Sequence, residues 1–334
     1  QEGDLAVAHG TVKKIKEQAI IFDKLGFTEI SFVLFKISFA INHLTDFSLW
    51  RLKEVLPYET KEHQVKVETF IHQKTGIGQY FLFNSQYKAI FEDKILQKEN
   101  HQILSMPTGA GKTLLAHLLI LKQLLLRPSP RSKIIYLVPT RALAHEKLSE
   151  FEEFFSKKGM DYRVCKITGE ILIESEEVLE KNDILIMTQE KFDILMREEN
   201  FFGFPIDSII SDEFHNVYLD YRGIRLQLSL ERFKRNPQNK ETKLFLISAI
   251  LPIIDQENIS RWLYPEDNAF SVIFQTDWQP TFTRRGYFDF VEESQNPQWQ
   301  IQFNDGRTLR LKAPLEKIRR DSINKACAYI AAQL

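Results

Sequence analysis

From about Phe83 onward the chain alternates short apolar runs with stretches of helical periodicity, and this alternation constrains the fold more than any other feature of its 334 residues. Ile103–Met106 leads into a glycine turn and a helical stretch from Gly111 to about Leu126. Ile134–Val138 leads into Arg141–Phe155, and Ile184–Met187 into Glu190–Met196. Ser208–Ser211 precedes a long stretch ending near Arg235, and Lys243–Ser248 precedes Ile254–Leu263. Continuously apolar runs this short read as strands buried on both faces, and strands separated by helices pair in parallel. The expected class is α/β, a parallel sheet with helices on both faces. Ligands of such sheets bind outside the carboxyl ends of the strands, so the residues just after each run are the candidates for chemistry.

The flanks have a different texture. Residues up to 82 read as helical, with apolar residues at helical spacing over Asp4–Leu25 and Glu29–Leu44, and they carry no chemical motif. A docking or wall region is expected there. Its most apolar run, Ile30–Ile41, contains Lys36, is too short for a membrane span and reads as a buried helix. After about Asp277, Arg285–Val291 and Trp299–Phe303 look like hairpin strands. The basic stretch Arg307–Lys325 reads as a solvated charged linker, and a last helix is expected over Ser322–Leu334. The expected domains are thus 1–82, 83–276 and 277–334. The 44 Lys and Arg against 45 Asp and Glu exclude a polycationic tail but not a local nucleic-acid patch. Two cysteines, Cys165 and Cys327, exclude a disulfide scaffold and a four-thiolate zinc site. A reducing compartment follows, cytoplasmic or, for a DNA substrate, nuclear or nucleoid-associated.

Two segments carry the chemistry. Met106, Pro107, Thr108, Gly109, Ala110, Gly111, Lys112 and Thr113 follow a strand and open a helix. Small residues let backbone N–H groups close around phosphate oxygens at a helix N-terminus, Lys112 reaches the β/γ-phosphates, and the Thr113 hydroxyl can ligate Mg²⁺. The first glycine of the strict pattern is Met106 here. The second segment, Ile209–His215, puts Asp212 and Glu213 at a strand end. Such a pair can cap a helix; beside a phosphate loop it suits a nucleotide hydrolase, with Asp212 holding Mg²⁺ and Glu213 orienting the attacking water.

Together these residues resemble the first motor lobe of a superfamily 2 DExH-box helicase. Asp212-Glu213-Phe214-His215 resembles the DExH box and Met106–Thr113 motif I. Val138–Leu143 resembles motif Ia, Thr168-Gly169 the Thr-Gly element of motif Ib, and Thr188–Lys191 the Thr-Pro-Glu-Lys motif with Gln189 for Pro. Ser248-Ala249-Ile250 stands where Ser-Ala-Thr is expected, and Gln86 resembles the adenine-reading glutamine. Tyr221-Arg222-Gly223, Ser248–Pro252 leading to Ile259–Leu263, and Asp277–Pro280 with Arg285-Gly286 resemble the superkiller-type branch.

The resemblance implies a RecA-like P-loop NTPase lobe that hydrolyses ATP with Mg²⁺ and steps along a single-stranded or partly duplex nucleic acid, DNA slightly favoured. It implies that Gln86 reads the adenine edge, although a plain helical glutamine fits too. His215 and Ser248 would couple nucleotide state to the strand, although a packed structural histidine is the alternative. Thr140, Arg141, Gly169 and Thr188 would grip phosphates, although the threonines could merely cap helices. Ile250 puts the coupling in doubt. No segment resembles the arginine-bearing motif of a second motor lobe, so a fragment of a longer chain is expected. A protein partner through residues 1–82, and a nucleotide-gated scaffold with weakened motor activity, are the alternatives.

Overall fold

The computed structural model describes residues 5–127, 129, 131–168, 180–197, 205–218, 220–236, 239–249, 251–263, 270–276, 278, 286–291, 298–303 and 306–310. Residues 1–280 form one compact unit and 281–334 a second.

The first unit begins with α1 (Leu5–Lys24), α2 (Thr28–Asp46), a 3₁₀ turn (Leu49–Glu54) and α3 (Lys61–Gly76). Short α4 (Asn84–Tyr87) runs into a π turn (Lys88–Glu92). The alternating region then reads β1 (His101–Ser105), α5 (Lys112–Leu126), β2 (Lys133–Val138), α6 (Arg141–Phe155), β3 (Val164–Ile167), β4 (Ile184–Thr188) and α7 (Gln189–Leu195). It continues through β5 (Ile206–Ser211), a 3₁₀ turn (Phe214–Tyr218), α8 (Asp220–Arg235), β6 (Lys243–Ser248), α9 (Ile253–Leu263) and β7 (Phe270–Gln275). All seven strands pair in parallel in the order β3-β4-β2-β5-β6-β1-β7. The sheet has the strands expected, plus β3 and β7 at its edges.

Alternate residues of each strand supply two separate cores. Leu104, Ile134, Tyr136, Ile186, Ile210 and Phe245 face α5, α6 and α3, whose Phe70 and Ile71 are fully buried in the same cluster. Ile103, Ile135, Leu185, Ile209 and Leu246 face α7, α8 and α9. Burial on both faces is why these strands are apolar throughout rather than alternating.

The strand order sets the site. β6 lies between β1, which ends in the phosphate loop, and β5, which ends in the acidic pair; β2 lies between β5 and β4. The acidic pair is therefore flanked by phosphate chemistry on one side and by the Thr140 and Thr188 turns on the other.

One expectation fails at Ile30–Ile41. The run is helical but not buried: Phe32 and Phe39 are 62% and 70% exposed, and Ile30, Val33, Phe35 and Ile37 are also exposed. α2 instead buries Ser31, Ser38 and Thr45, one residue in seven, and α1, which packs against it, buries Val12 and Ala19. Ser38 and Thr45 donate back to the carbonyls of Phe35 and Ile41, so small hydroxylic residues permit close helix approach without losing a hydrogen bond. The large residues are left on the flanks of the hairpin.

In the second unit, β8 (Gly286–Val291), β9 (Gln298–Phe303) and β10 (Thr308–Arg310) form an antiparallel sheet in the order β10-β9-β8. The hairpin is as expected, but Thr308–Arg310, read from sequence as linker, adds a third strand. The expected last helix, Ser322–Leu334, lies outside the described residues, as do Gly169 and Ile250.

Candidate nucleotide and strand site

The phosphate loop is closed by two left-handed glycines. Gly109 has φ 81° and Gly111 φ 89°, and Gly111 is the residue that caps α5. A Cβ at Gly111 would lie 2.1 Å from Gln86 Nε2, so the position requires glycine for both backbone and space. Helix α4 locks onto the loop here: Ser85 Oγ donates to the Ala110 carbonyl at 2.8 Å and Gln86 Nε2 to the Gly111 carbonyl at 3.1 Å. Gln86 Oε1 accepts from Phe83 N at 2.8 Å, and the residue is almost fully buried. Both halves of its amide are thus engaged with this chain's own backbone. The same residue at the same place secures the loop, and reading a base would require exchanging those bonds.

Lys112 Nζ donates to the Met106 carbonyl at 3.2 Å, spanning the loop from inside. Burial lowers its pKa, and Glu213 and Asp212 work against that shift. Met106 N donates to the Ser248 carbonyl at 3.0 Å, and Ser105 Oγ accepts from Leu251 N at 3.1 Å, so the start of the loop is bonded to the end of β6 and the residues after it.

Asp212 is held on two sides. Its Oδ1 accepts from Glu213 N at 2.9 Å and its Oδ2 from the Tyr136 hydroxyl at 2.8 Å. Tyr136 is buried in β2; burial, then the Asp212 charge, pushes its pKa well up, so it remains a donor. The sequence reading passed over Tyr136. The available signal was a phenol in a strand of aliphatic residues, since a buried tyrosine hydroxyl needs a partner.

Glu213 adopts φ 49°, an uncommon left-handed conformation for a side chain of this size. Its Oε2 lies 3.3 Å from His215 Nδ1 yet is buried without an aligned hydrogen bond. His215 Nδ1 is 3.4 Å from Ser248 Oγ. His215 Nδ1 therefore stands between Glu213 of the acidic pair and Ser248 at the end of β6, in contact with both.

Thr140 and Thr188 cap α6 and α7, accepting from Leu143 N at 3.2 Å and Lys191 N at 3.3 Å. The capping role is real, and it leaves each hydroxyl proton to donate elsewhere. Thr140, Arg141 and Thr188 come together with Pro139, Glu190, Lys191, Ile194 and Arg222 around a cleft of about 460 Å³. Arg222 and Glu190 had no site role in the sequence reading.

The donor set suits ATP and Mg²⁺. A glycine cradle, an inward ammonium, a hydroxyl at Thr113 and one fixed carboxylate at Asp212 match a hard cation that keeps several of its own waters and shares the phosphates. Among the described residues no cluster of three or more His, Cys, Asp or Glu offers a cage of its own. No described helix is long and apolar enough to cross a membrane.

Fold and site together define a P-loop nucleotide-binding lobe with an acidic box on the neighbouring strand but one. The chain belongs to the DEAD/DEAH box helicase family, whose model matches residues 85–259, and its box has the DExH form of superfamily 2. It is 29% identical over 254 residues to ATP-dependent DNA helicase Hel308 of Pyrococcus horikoshii, covering 76% of this chain and 31% of that protein. It is 28% identical over 257 residues to Hachiman protein HamB of Bacillus cereus, covering 76% of this chain and 22% of that protein. Against DExH-box ATP-dependent RNA helicase DExH13 of Arabidopsis thaliana it is 25% identical over 197 residues, covering 54% and 9%. The chain spans less than a third of the length of each of these relatives.

Proposed function

We propose that this chain is the ATP-binding lobe of a nucleic-acid helicase or translocase, in which ATP hydrolysis at the phosphate loop drives stepping along a single strand. The observation that carries this reading is the Glu213–His215–Ser248 chain, which joins the acidic pair to the phosphate loop through the Ser248–Met106 bond. Lys112 and the loop amides would bind the phosphates, Thr113 and Asp212 would hold Mg²⁺, and Glu213 would orient water. Mg²⁺, when bound, supplies charge neutralisation at the β/γ-phosphates. Residues 1–82, 83–276 and 277–334 are read as accessory region, motor lobe and connection toward a second lobe. An arginine supplied from such a lobe would be worth about 10³–10⁵ in rate. DNA is favoured over RNA because two of the relatives matched are named as DNA helicases, and the resemblance of Tyr221-Arg222-Gly223 supports the superkiller-type branch.

The test is fluorescence anisotropy of a labelled single-stranded oligonucleotide with and without a non-hydrolysable ATP analogue. The affinity should change with nucleotide in the native chain and lose that response in Lys112→Ala. An oligonucleotide affinity indifferent to nucleotide would sink the reading. The second reading, a nucleotide-gated interaction protein, is favoured by the exposed phenylalanines of α2, which suit a protein partner better than solvent.

Tyr136→Phe removes one of the two donors that fix Asp212. Loss of such a supporting bond raises the Mg²⁺ concentration needed for tight nucleotide binding by about tenfold. A fluorescent-nucleotide titration at several Mg²⁺ concentrations reads the shift, and an unchanged Mg²⁺ midpoint would mean that Tyr136 only packs.

A further inference from the structure

Tyr221-Arg222-Gly223 has a structural explanation that extends the strand site. Gly223 is buried where α8 crosses the 3₁₀ turn that follows the acidic box. A Cβ there would lie 2.2 Å from the Val217 carbonyl oxygen and 2.8 Å from that of Asn216. Both contacts are backbone, so no side-chain movement would relieve them. Gln227, one helical turn on, donates to the same Val217 carbonyl at 3.1 Å. The turn is tied in its own right to Glu213, whose carbonyl accepts from both Asn216 N and Asn216 Nδ2. The start of α8 is thus fixed to the acidic box by backbone contact, and the residue before Gly223 is fixed with it.

That residue, Arg222, lines the cleft shared by Thr140, Arg141 and Thr188. Its Nε lies 3.5 Å from Glu190 Oε1 on α7, and its side chain is 60% exposed. An exposed pair at that distance contributes little to stability. A phosphodiester accepts from a guanidinium with better geometry than a single distant carboxylate oxygen.

We propose that Arg222 is a contact for the strand's phosphodiester backbone, held ready by Glu190, and that Gly223 and Gln227 report the state of the acidic box to it. This rests on the nucleic-acid reading given above. The contact takes the shared chemistry of DNA and RNA and reads no base.

The experiment is anisotropy of labelled dT₂₀ and U₂₀ on the full chain, titrated with salt, with and without the ATP analogue. Arg222→Ala should weaken both polymers equally, by about five- to tenfold, and reduce the salt slope by about 0.7, the share of one single-strand phosphate. Arg222→Lys should restore part of the affinity, and Glu190→Gln should tighten binding by removing the competing carboxylate. Gln227→Ala should shrink the nucleotide response while leaving nucleotide affinity unchanged. Unchanged affinity and slope in Arg222→Ala would overturn the proposal, as would a loss on one polymer only or Glu190→Gln weakening binding as much as Arg222→Ala. Arg141→Ala separates the two levels of failure. If Arg141→Ala weakens binding and Arg222→Ala does not, only this contact is wrong; if the native chain binds neither polymer, the nucleic-acid reading and the contact fall together.

Discussion

Glu213→Gln should slow ATP hydrolysis by about 10²–10⁴-fold, the usual worth of a positioned general base, while nucleotide affinity stays within about threefold. The exchange is isosteric, so the φ 49° backbone and the Asp212 Oδ1 bond to Glu213 N are retained. What changes is the buried Oε2, which in the native residue is an acceptor with no aligned donor, beside His215 Nδ1. An amide cannot take a proton from water and can present an N–H where a lone pair is needed. Lys112 and the loop amides are untouched, so binding survives. Single-turnover hydrolysis with the chain in excess over labelled ATP resolves even slow rates, and nucleotide affinity is read in parallel by fluorescence. The same variant separates the two functional readings. A motor loses turnover and accumulates in its ATP-bound, strand-holding state; a scaffold keeps its nucleotide-gated partner binding regardless of hydrolysis. Turnover at the native rate in Glu213→Gln would remove Glu213 from the chemistry.

Much of this site was legible because the chemistry follows the strands. Each internal strand is buried on two faces and so is written as an uninterrupted apolar run. The functional residues are then whatever polar groups stand at its carboxyl end: Lys112 after β1, Thr140 after β2, Asp212 after β5, Ser248 at the end of β6. The edge strands were harder. Val164–Ile167 is only half-buried and contains Lys166, so it lacked the apolar run that marked its neighbours. The error at α2 has a related cause. Apolar content indicates that a surface should be covered, not by what, and Ser31, Ser38 and Thr45 took the interior position that the phenylalanines were expected to fill. Gln86, Tyr136 and Arg222 show that local pattern can pick out a residue, or miss it, without giving its partner. Their bonds to Gly111, Asp212 and Glu190 span 25, 76 and 32 residues of chain (222 − 190 = 32), and only the closed sheet brings them together.

The largest stability effect expected is an acid one, because the lobe is built around two neutral histidines. His117 on α5 is completely buried; its Nδ1 lies 2.9 Å from Lys74 Nζ of α3 and its Nε2 3.1 Å from Glu150 Oε1 of α6, poorly aligned for a hydrogen bond. Burial, with the Lys74 and Lys147 ammoniums beside it, pushes His117 down to about 4 against the opposing pull of Glu150. His101 on β1 accepts from Leu244 N at 3.0 Å, and burial beside Lys243 pushes it down to about 4 as well. In the unfolded chain both titrate near an ordinary histidine value of about 6.5. Between pH 6.5 and 4 the unfolded state therefore binds more protons than the folded one. The stabilisation is complete above pH 6.5 and is lost as pH falls toward 4, by about 3 kcal/mol for each histidine. Asp207 works in the opposite sense: burial raises it to about 6, so its contribution grows as pH falls through that value and offsets part of the loss. Lys74, lowered to about 8 by burial, adds stability only above that pH and leaves the acid limb unchanged. The urea midpoint, followed by far-UV circular dichroism, should fall steeply from pH 7 to pH 4.5. His101→Asn retains an acceptor for Leu244 N without a titrating ring, so it should remove about half of the histidine contribution to that fall at little cost near neutrality. A midpoint that stays level from pH 7 to pH 5 in the native chain, or falls equally steeply in His101→Asn, would mean that these rings are not the groups that make the lobe acid-labile.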